Sequence, residues 1–120
     1  MKKVLIIDDE PLVRRSLARV FRGEVETIEA DDGLIGIKLW KEMKPDLVFL
    51  DVLMPGMTGP EILKELDFET RNKCKVILIS AYTGGYNLES AKNIGADLFI
   101  AKPFENIFDV KKQADILLKE

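Results

Sequence analysis

Three runs of apolar residues stand out along the chain: Val4-Leu5-Ile6-Ile7, Leu47-Val48-Phe49-Leu50 and Val76-Ile77-Leu78-Ile79. None is interrupted by a polar position, and each is bounded by charged or turn-forming residues, the pattern of a strand buried on both faces. Val25 to Ile28 and Leu98-Phe99-Ile100-Ala101 are two further strand candidates. Between the runs the apolar period changes to that of a helix. Pro11 opens the first helix, where its missing N–H costs nothing, and Leu12, Val13, Leu17, Val20 and Phe21 give that helix a core face before Gly23 stops it. The turn Asp31-Asp32-Gly33 leads to a second helix over Leu34 to Met43, closed by Lys44-Pro45. Thr58 and Glu61 have the spacing of a capping box for a helix running to about Leu66, and the polar stretch Asp67 to Lys75 reads as loop. A loop with Gly84 and Gly85 precedes a short helix near Leu88 to Ile94, and Gly95-Ala96-Asp97 turns the chain into the last strand. Ile107, Val110, Ala114 and Leu117 mark one face of a final helix.

Five strands thus alternate with five helices, which predicts an α/β fold: a parallel sheet sandwiched by helices, joined by right-handed crossovers. No repeat, linker or low-complexity segment divides the chain, so residues 1–120 read as one domain. The net charge of −3 provides no footprint for nucleic acid, and no apolar run approaches membrane-spanning length. A single cysteine, Cys74, cannot form an internal disulfide, which points to a reducing cytoplasm. The chain has no histidine, and this excludes a His-based zinc site, a Ser-His-Asp triad and a self-contained phosphohistidine relay. Any metal must therefore be a hard cation held by oxygen.

The candidate chemistry lies where the strands end. In an open parallel sheet, ligands bind just beyond the carboxyl ends of the strands. Four of the five strands finish there in polar groups: Asp8 and Asp9, Asp51, Ser80 and Lys102. Taken singly, such acids cap helices or face water. Clustered, two carboxylates about 4 Å apart repel by roughly 4 kcal/mol at an effective dielectric near 20, so the set calls for a cation or a retained proton. Mg²⁺ suits such a place, and with Lys102 it would screen a phosphoryl group attacked by a carboxylate. Asp51, which ends the central run and precedes a Pro- and Gly-punctuated loop, is the candidate acceptor.

These residues resemble the receiver domain of the two-component response regulators over essentially the whole chain. The family pattern is an acidic pair after the first strand, Asp and Met-Pro-x-Met-x-Gly after the third, Ser/Thr-Ala after the fourth and Lys-Pro-Phe after the fifth. Here these stand as Asp8-Asp9, Asp51 with Met54-Pro55-Gly56-Met57-Thr58-Gly59, Ser80-Ala81 and Lys102-Pro103-Phe104. The resemblance implies a flavodoxin-like, doubly wound sheet of order 2-1-3-4-5. It also implies that Asp51 takes a phosphoryl group from a sensor histidine kinase or phosphotransfer protein. Asp9, Asp51 and the Leu53 carbonyl would ligate Mg²⁺ directly, and Asp8 through water. Lys102 would pair with the phosphoryl group, Ser80 would move toward it, and Phe99 would turn inward as the switch aromatic. The Lys102–Pro103 bond would be cis. Output would pass to a downstream protein or domain through the helix near Leu88 to Ile94, the last strand and the final helix, with phosphorylation-dependent homodimerisation compatible with this face. Such a chain catalyses only its own modification and is not an enzyme toward a free substrate. It is either a single-domain regulator or a receiver belonging to a longer one.

Some positions depart from the commonest pattern. Phe99 lacks the hydroxyl of the Tyr that many relatives carry, so its switch would rest on packing. Leu53 and Tyr82, two residues beyond Asp51 and Ser80, have no amide or carboxylate to orient hydrolytic water, which implies a long-lived phosphoaspartate. Arg15, Arg19 and Arg22 fall on one helical stripe, either a solvated face or a contact for an acidic partner. Leu34 and Ile35 stand where the second helix should be polar. A phosphatase of the haloacid-dehalogenase type, the enzymatic alternative, would carry a second acid two residues after its nucleophile, where this chain has Leu53. A phospho-independent interaction module would have no need of the acidic cluster and Lys102.

Overall fold

The strands β1 (Lys3–Ile7), β2 (Glu26–Ala30), β3 (Leu47–Asp51), β4 (Lys75–Ser80) and β5 (Leu98–Ala101) form one sheet. All pairings are parallel, in the order β2-β1-β3-β4-β5, as the resemblance implies. The computed structural model describes residues 1–81 and 87–120. Gly84 and Gly85 lie outside the described residues.

The side-chain period of two explains why the strand runs have no polar gap. Leu5, Ile7, Val48, Leu50, Val76 and Leu78 face one core, shared with Trp40, Ile62, Leu63 and Ala91. Their sequence neighbours Val4, Ile6, Leu47, Phe49, Ile77 and Ile79 face a second core with Leu17, Phe21, Val110 and Ala114. Burying each such side chain contributes ~1.5–3 kcal/mol, so both parities of the three inner strands must be apolar. The first core is covered by α2 (Gly33–Met43), α3 (Gly59–Glu65) and α5 (Leu88–Asn93), and the second by α1 (Pro11–Val20) and α6 (Ile107–Lys119).

Two expectations are corrected. The described residues hold six helices, not five, because Phe68–Asn72 forms α4 within the stretch read as loop. This helix buries no residue, so it leaves no apolar period in the sequence. It starts because the Asp67 carboxylate accepts from the Thr70 N–H at 2.7 Å. The second strand runs from Glu26 to Ala30, starting one residue after and ending two residues beyond the expected Val25 to Ile28. As an edge strand it pairs on one side only, with Lys3↔Glu26 and Ile7↔Ala30 fixing its limits.

Local signals near the site are realised as read. Pro11 occupies the first turn of α1, and Thr58 and Glu61 form the reciprocal capping box of α3 at 3.2 and 3.1 Å. The Lys102–Pro103 peptide is cis. Leu34 and Ile35 are exposed at the start of α2. Among the described residues no helix is long and apolar enough to cross a membrane.

Candidate functional site

The register brings the polar strand ends together. Ile7 pairs with Leu50, so Asp8 and Asp51 follow side by side. Ser80 pairs with Ala101, so Lys102 leaves β5 at the same edge, from which its side chain reaches both acids. Backbone bonds continue the ladder past the last formal pairs: Asp8 N–H donates to Ala30 at 3.1 Å, Val52 N–H to Ile79 at 3.0 Å and Lys102 N–H to Ser80 at 2.8 Å. The loop after Asp51 is fixed by the Gly59 N–H donating to the Val52 carbonyl at 2.8 Å. A methyl group on Gly59 would lie 2.8 Å from the Asp51 carbonyl oxygen, so only glycine lets α3 begin this close to the strand end. Gly56, in the same loop, has φ +86°, a conformation that favours glycine for its own backbone.

Within this frame Lys102 reaches across 94 residues of sequence to Asp8, with Nζ 2.9 Å from its Oδ2. The same ammonium lies 2.8 Å from Glu10 Oε1 and 3.4 Å from Asp51 Oδ2. Asp8, Asp51, Ser80 and Lys102 are all buried, whereas Asp9 and Glu10 are exposed. Asp8 is further held by the Glu10 N–H at 2.8 Å, and its carbonyl accepts from Arg14 Nη1 at 2.7 Å. An open cavity of about 470 Å³ is lined by Asp9, Glu10, Asp51, Leu53, Ser80, Ala81 and Lys102.

Burial, followed by repulsion from Asp8, pushes the Asp51 carboxyl up to about 7, against the opposing pull of Lys102. Burial likewise raises Asp8, only partly offset by its bonds to Lys102 and the Glu10 N–H. At Lys102 burial alone would favour the neutral amine, but the bonds to Glu10 and Asp8 win and hold it charged above its ordinary range. Asp8, Asp9, Glu10 and Asp51 each offer a carboxylate oxygen, all within 4.8 Å of one another. An all-oxygen donor set, part buried and part open to water, fits a hard divalent cation that keeps some of its waters.

Residues 4–111 match the profile of the response regulator receiver domain. The chain belongs to that family. This receiver domain is 38% identical over 105 residues to sporulation initiation phosphotransferase F of Bacillus subtilis, a match covering 87% of the chain and 84% of that protein. It is 31% identical to the chemotaxis protein CheY of Halobacterium salinarum, over 97% of both chains. The solved structure of the response regulator TrrA of Thermotoga maritima, in complex with Mg²⁺ and BeF, superposes with a TM-score of 0.82 at 30% identity, covering 98% of this chain and 99% of that one. Several further curated relatives are longer, and the receiver domain spans 23 to 45% of their length. Phosphorylation and Mg²⁺ are typical of receiver domains.

The structure places Asp8, Asp9, Asp51, Leu53, Ser80 and Lys102 of the receiver domain at one strand edge, around or beneath one cavity. Phe99 is half-buried on β5 and packs against the core beneath α2, α3 and α5. Tyr82 lies outside the described residues. Arg15, Arg19 and Arg22 are exposed and meet no acidic cluster of the site, lining a shallow depression with Val25, Thr27 and Glu29. Sequence reasoning passed over two residues. Glu10 follows the acidic pair directly and is bound to Lys102, and Arg14, next to the recognised stripe, ties α1 to Asp8 and to Glu29 at 3.1 Å. A third consecutive acid was the signal for Glu10, but its partner 92 residues away was not readable.

Proposed function

We propose that Asp51 accepts a phosphoryl group from the phosphohistidine of a sensor kinase or phosphotransfer protein, and that residues 1–120 act as one receiver domain. The observation that carries this is the Lys102 ammonium, 3.4 Å from Asp51 and bound to Asp8, in a cavity open to a donor. An ionised oxygen of Asp51 forms the bond to phosphorus while the bond to the donor nitrogen breaks, and the electron pair leaves with the imidazole. Lys102 neutralises a phosphoryl oxygen, and the Ser80 hydroxyl, at the neighbouring strand end, donates to another. Asp9, Asp51 and the Leu53 carbonyl would hold Mg²⁺, with Asp8 acting through water. When bound, Mg²⁺ supplies the positive charge that lets Asp51 stay ionised and accept an anionic group.

The domain modifies itself and turns over no free substrate. An apolar groove of about 290 Å³, lined by Leu12, Val13, Ser16, Pro103, Phe104 and Ile107 beside Lys102, supports docking of an apolar surface that brings the donor. Phe99 would act as the switch between this site and the face of α5, β5 and α6. That face would control a downstream protein, a second copy of the chain, or an output domain of a longer regulator. The buried, unpaired Cys74 supports the cytoplasm as its compartment.

Intact mass after incubation with acetyl phosphate provides the test. One phosphoryl adduct is expected for the wild type with Mg²⁺, and none with chelator or in Asp51→Asn. An adduct retained by Asp51→Asn would overturn the assignment. Absence of any adduct, together with no binding of a beryllofluoride mimic, would show that the site does not take phosphoryl groups.

A further inference from the structure

Three carboxylates surround the Lys102 ammonium, and they are not equivalent. Asp8 is fully buried, lies 2.9 Å from Nζ and is also fixed by a backbone N–H, so it cannot leave. Asp51 is buried at 3.4 Å and is the proposed acceptor. Glu10 makes the shortest contact, 2.8 Å, yet its side chain is 57% exposed. It stands at the head of α1 but makes no side-chain bond to that helix, its carboxylate being turned instead to Lys102. It also lines the cavity through which a donor would approach Asp51.

We propose that Glu10 is a positioning residue that occupies Lys102 in place of the incoming phosphoryl group, so that phosphorylation exchanges one anion for another at this ammonium. The inference rests on the reading of Asp51 and Lys102 given above. An ammonium has three donor positions, and Asp8 and Glu10 take two of them. A phosphoryl group on Asp51 brings further negative charge into a cluster that already holds four carboxylates against one ammonium. Glu10 is the member that can move into water at least cost, since its own side chain is already more than half exposed while Asp8 and Asp51 are buried. While it stays, it keeps Lys102 charged and aimed into the cavity. It also weakens the modified state, because its contact must be lost for the new one to form.

The test is titration of the full chain with beryllofluoride at saturating Mg²⁺, followed by amide NMR, with Mg²⁺ affinity measured separately. Glu10→Gln should bind the mimic about two- to five-fold more tightly than wild type, the range of an ion pair one of whose partners is exposed. The gap should narrow in high salt, which a merely structural effect would not do. Glu10→Asp keeps the charge but is one methylene shorter, and it should track Glu10→Gln. Equal affinity of wild type and Glu10→Gln would overturn the exchange while leaving the Asp51 reading intact. So would Glu10→Asp behaving as wild type, or a tenfold loss of Mg²⁺ affinity in Glu10→Gln, which would make Glu10 a metal ligand. If wild type shows no response that Asp51→Asn abolishes, the acceptor reading fails and the exchange falls with it.

Discussion

A carboxylate at the end of a buried strand loses the water that would stabilise its charge, and at Asp51 the neighbouring Asp8 adds repulsion. The unfolded chain releases this proton near 3.8, whereas the folded domain holds it to about 7. Between those values the native state binds more protons, so its stability falls as pH rises, by up to about 1.4 kcal/mol per pH unit. Above about 7 the penalty is complete. Asp51→Asn removes it and leaves Lys102 its bonds to Asp8 and Glu10. In chelator the variant should therefore melt several degrees above wild type at pH 8, with the difference fading toward pH 4. Added Mg²⁺ should narrow the gap at pH 8. Thermal melts across this range check it, and a pH-independent difference would mean that Asp51 is not strained by its charge. The position of Asp51 was legible because an unbroken apolar run stops at it. The conflict it carries was legible only in outline, since it depends on Asp8 lying alongside, a matter of strand register.

The loop and helix after β3 test two separate uses of glycine. A Cβ at Gly59 meets the Asp51 carbonyl oxygen at 2.8 Å, whereas a Cβ at Gly56 meets nothing within 4 Å but must accept φ +86°. Gly56→Ala should lower stability by about 1–2 kcal/mol through backbone strain alone, and leave phosphoryl uptake close to wild type. Gly59→Ala should cost about 1–3 kcal/mol and also slow adduct formation, because the end of β3 must shift. Denaturant melts and adduct mass time courses separate the two, and equal uptake by both variants would remove the claim that Gly59 positions Asp51. Elements were readable where burial imposed a period: the inner strands, α1, α2 and α6. They were less so where it did not. The edge strand β2 buries only Ala30, and α4 buries nothing, so the limits of β2 come from pairing and the start of α4 from a single capping carboxylate.

At the scale of the molecule, the sheet separates two cores that share no side chain. Phe21 and Phe49 lie within one of them, their ring centroids 6.1 Å apart, whereas Ile62 lies in the other. Phe21→Leu and Phe49→Leu should couple by at least about 0.5 kcal/mol in a double-mutant cycle, whereas Phe21→Leu and Ile62→Val should add. Coupling across the sheet as strong as within one core would refute this separation. The sequence made both cores visible as adjacent apolar positions, but it could not show which distant residues meet at the strand ends. Glu10 and Lys102 are far apart in the chain, one just before α1 and the other just after β5, and only the strand order introduces them. The partition has a historical consequence. The groove beside Lys102 is built on α1 and the start of α6, over one compartment, while Phe99 packs against the other. In lineages descended from such a domain, if the groove receives the donor and Phe99 is the switch, a change of donor and a retuning of Phe99 would be repacked on opposite sides of a wall five strands wide. The helix α6, which serves both the groove and the output face, is where the two would meet.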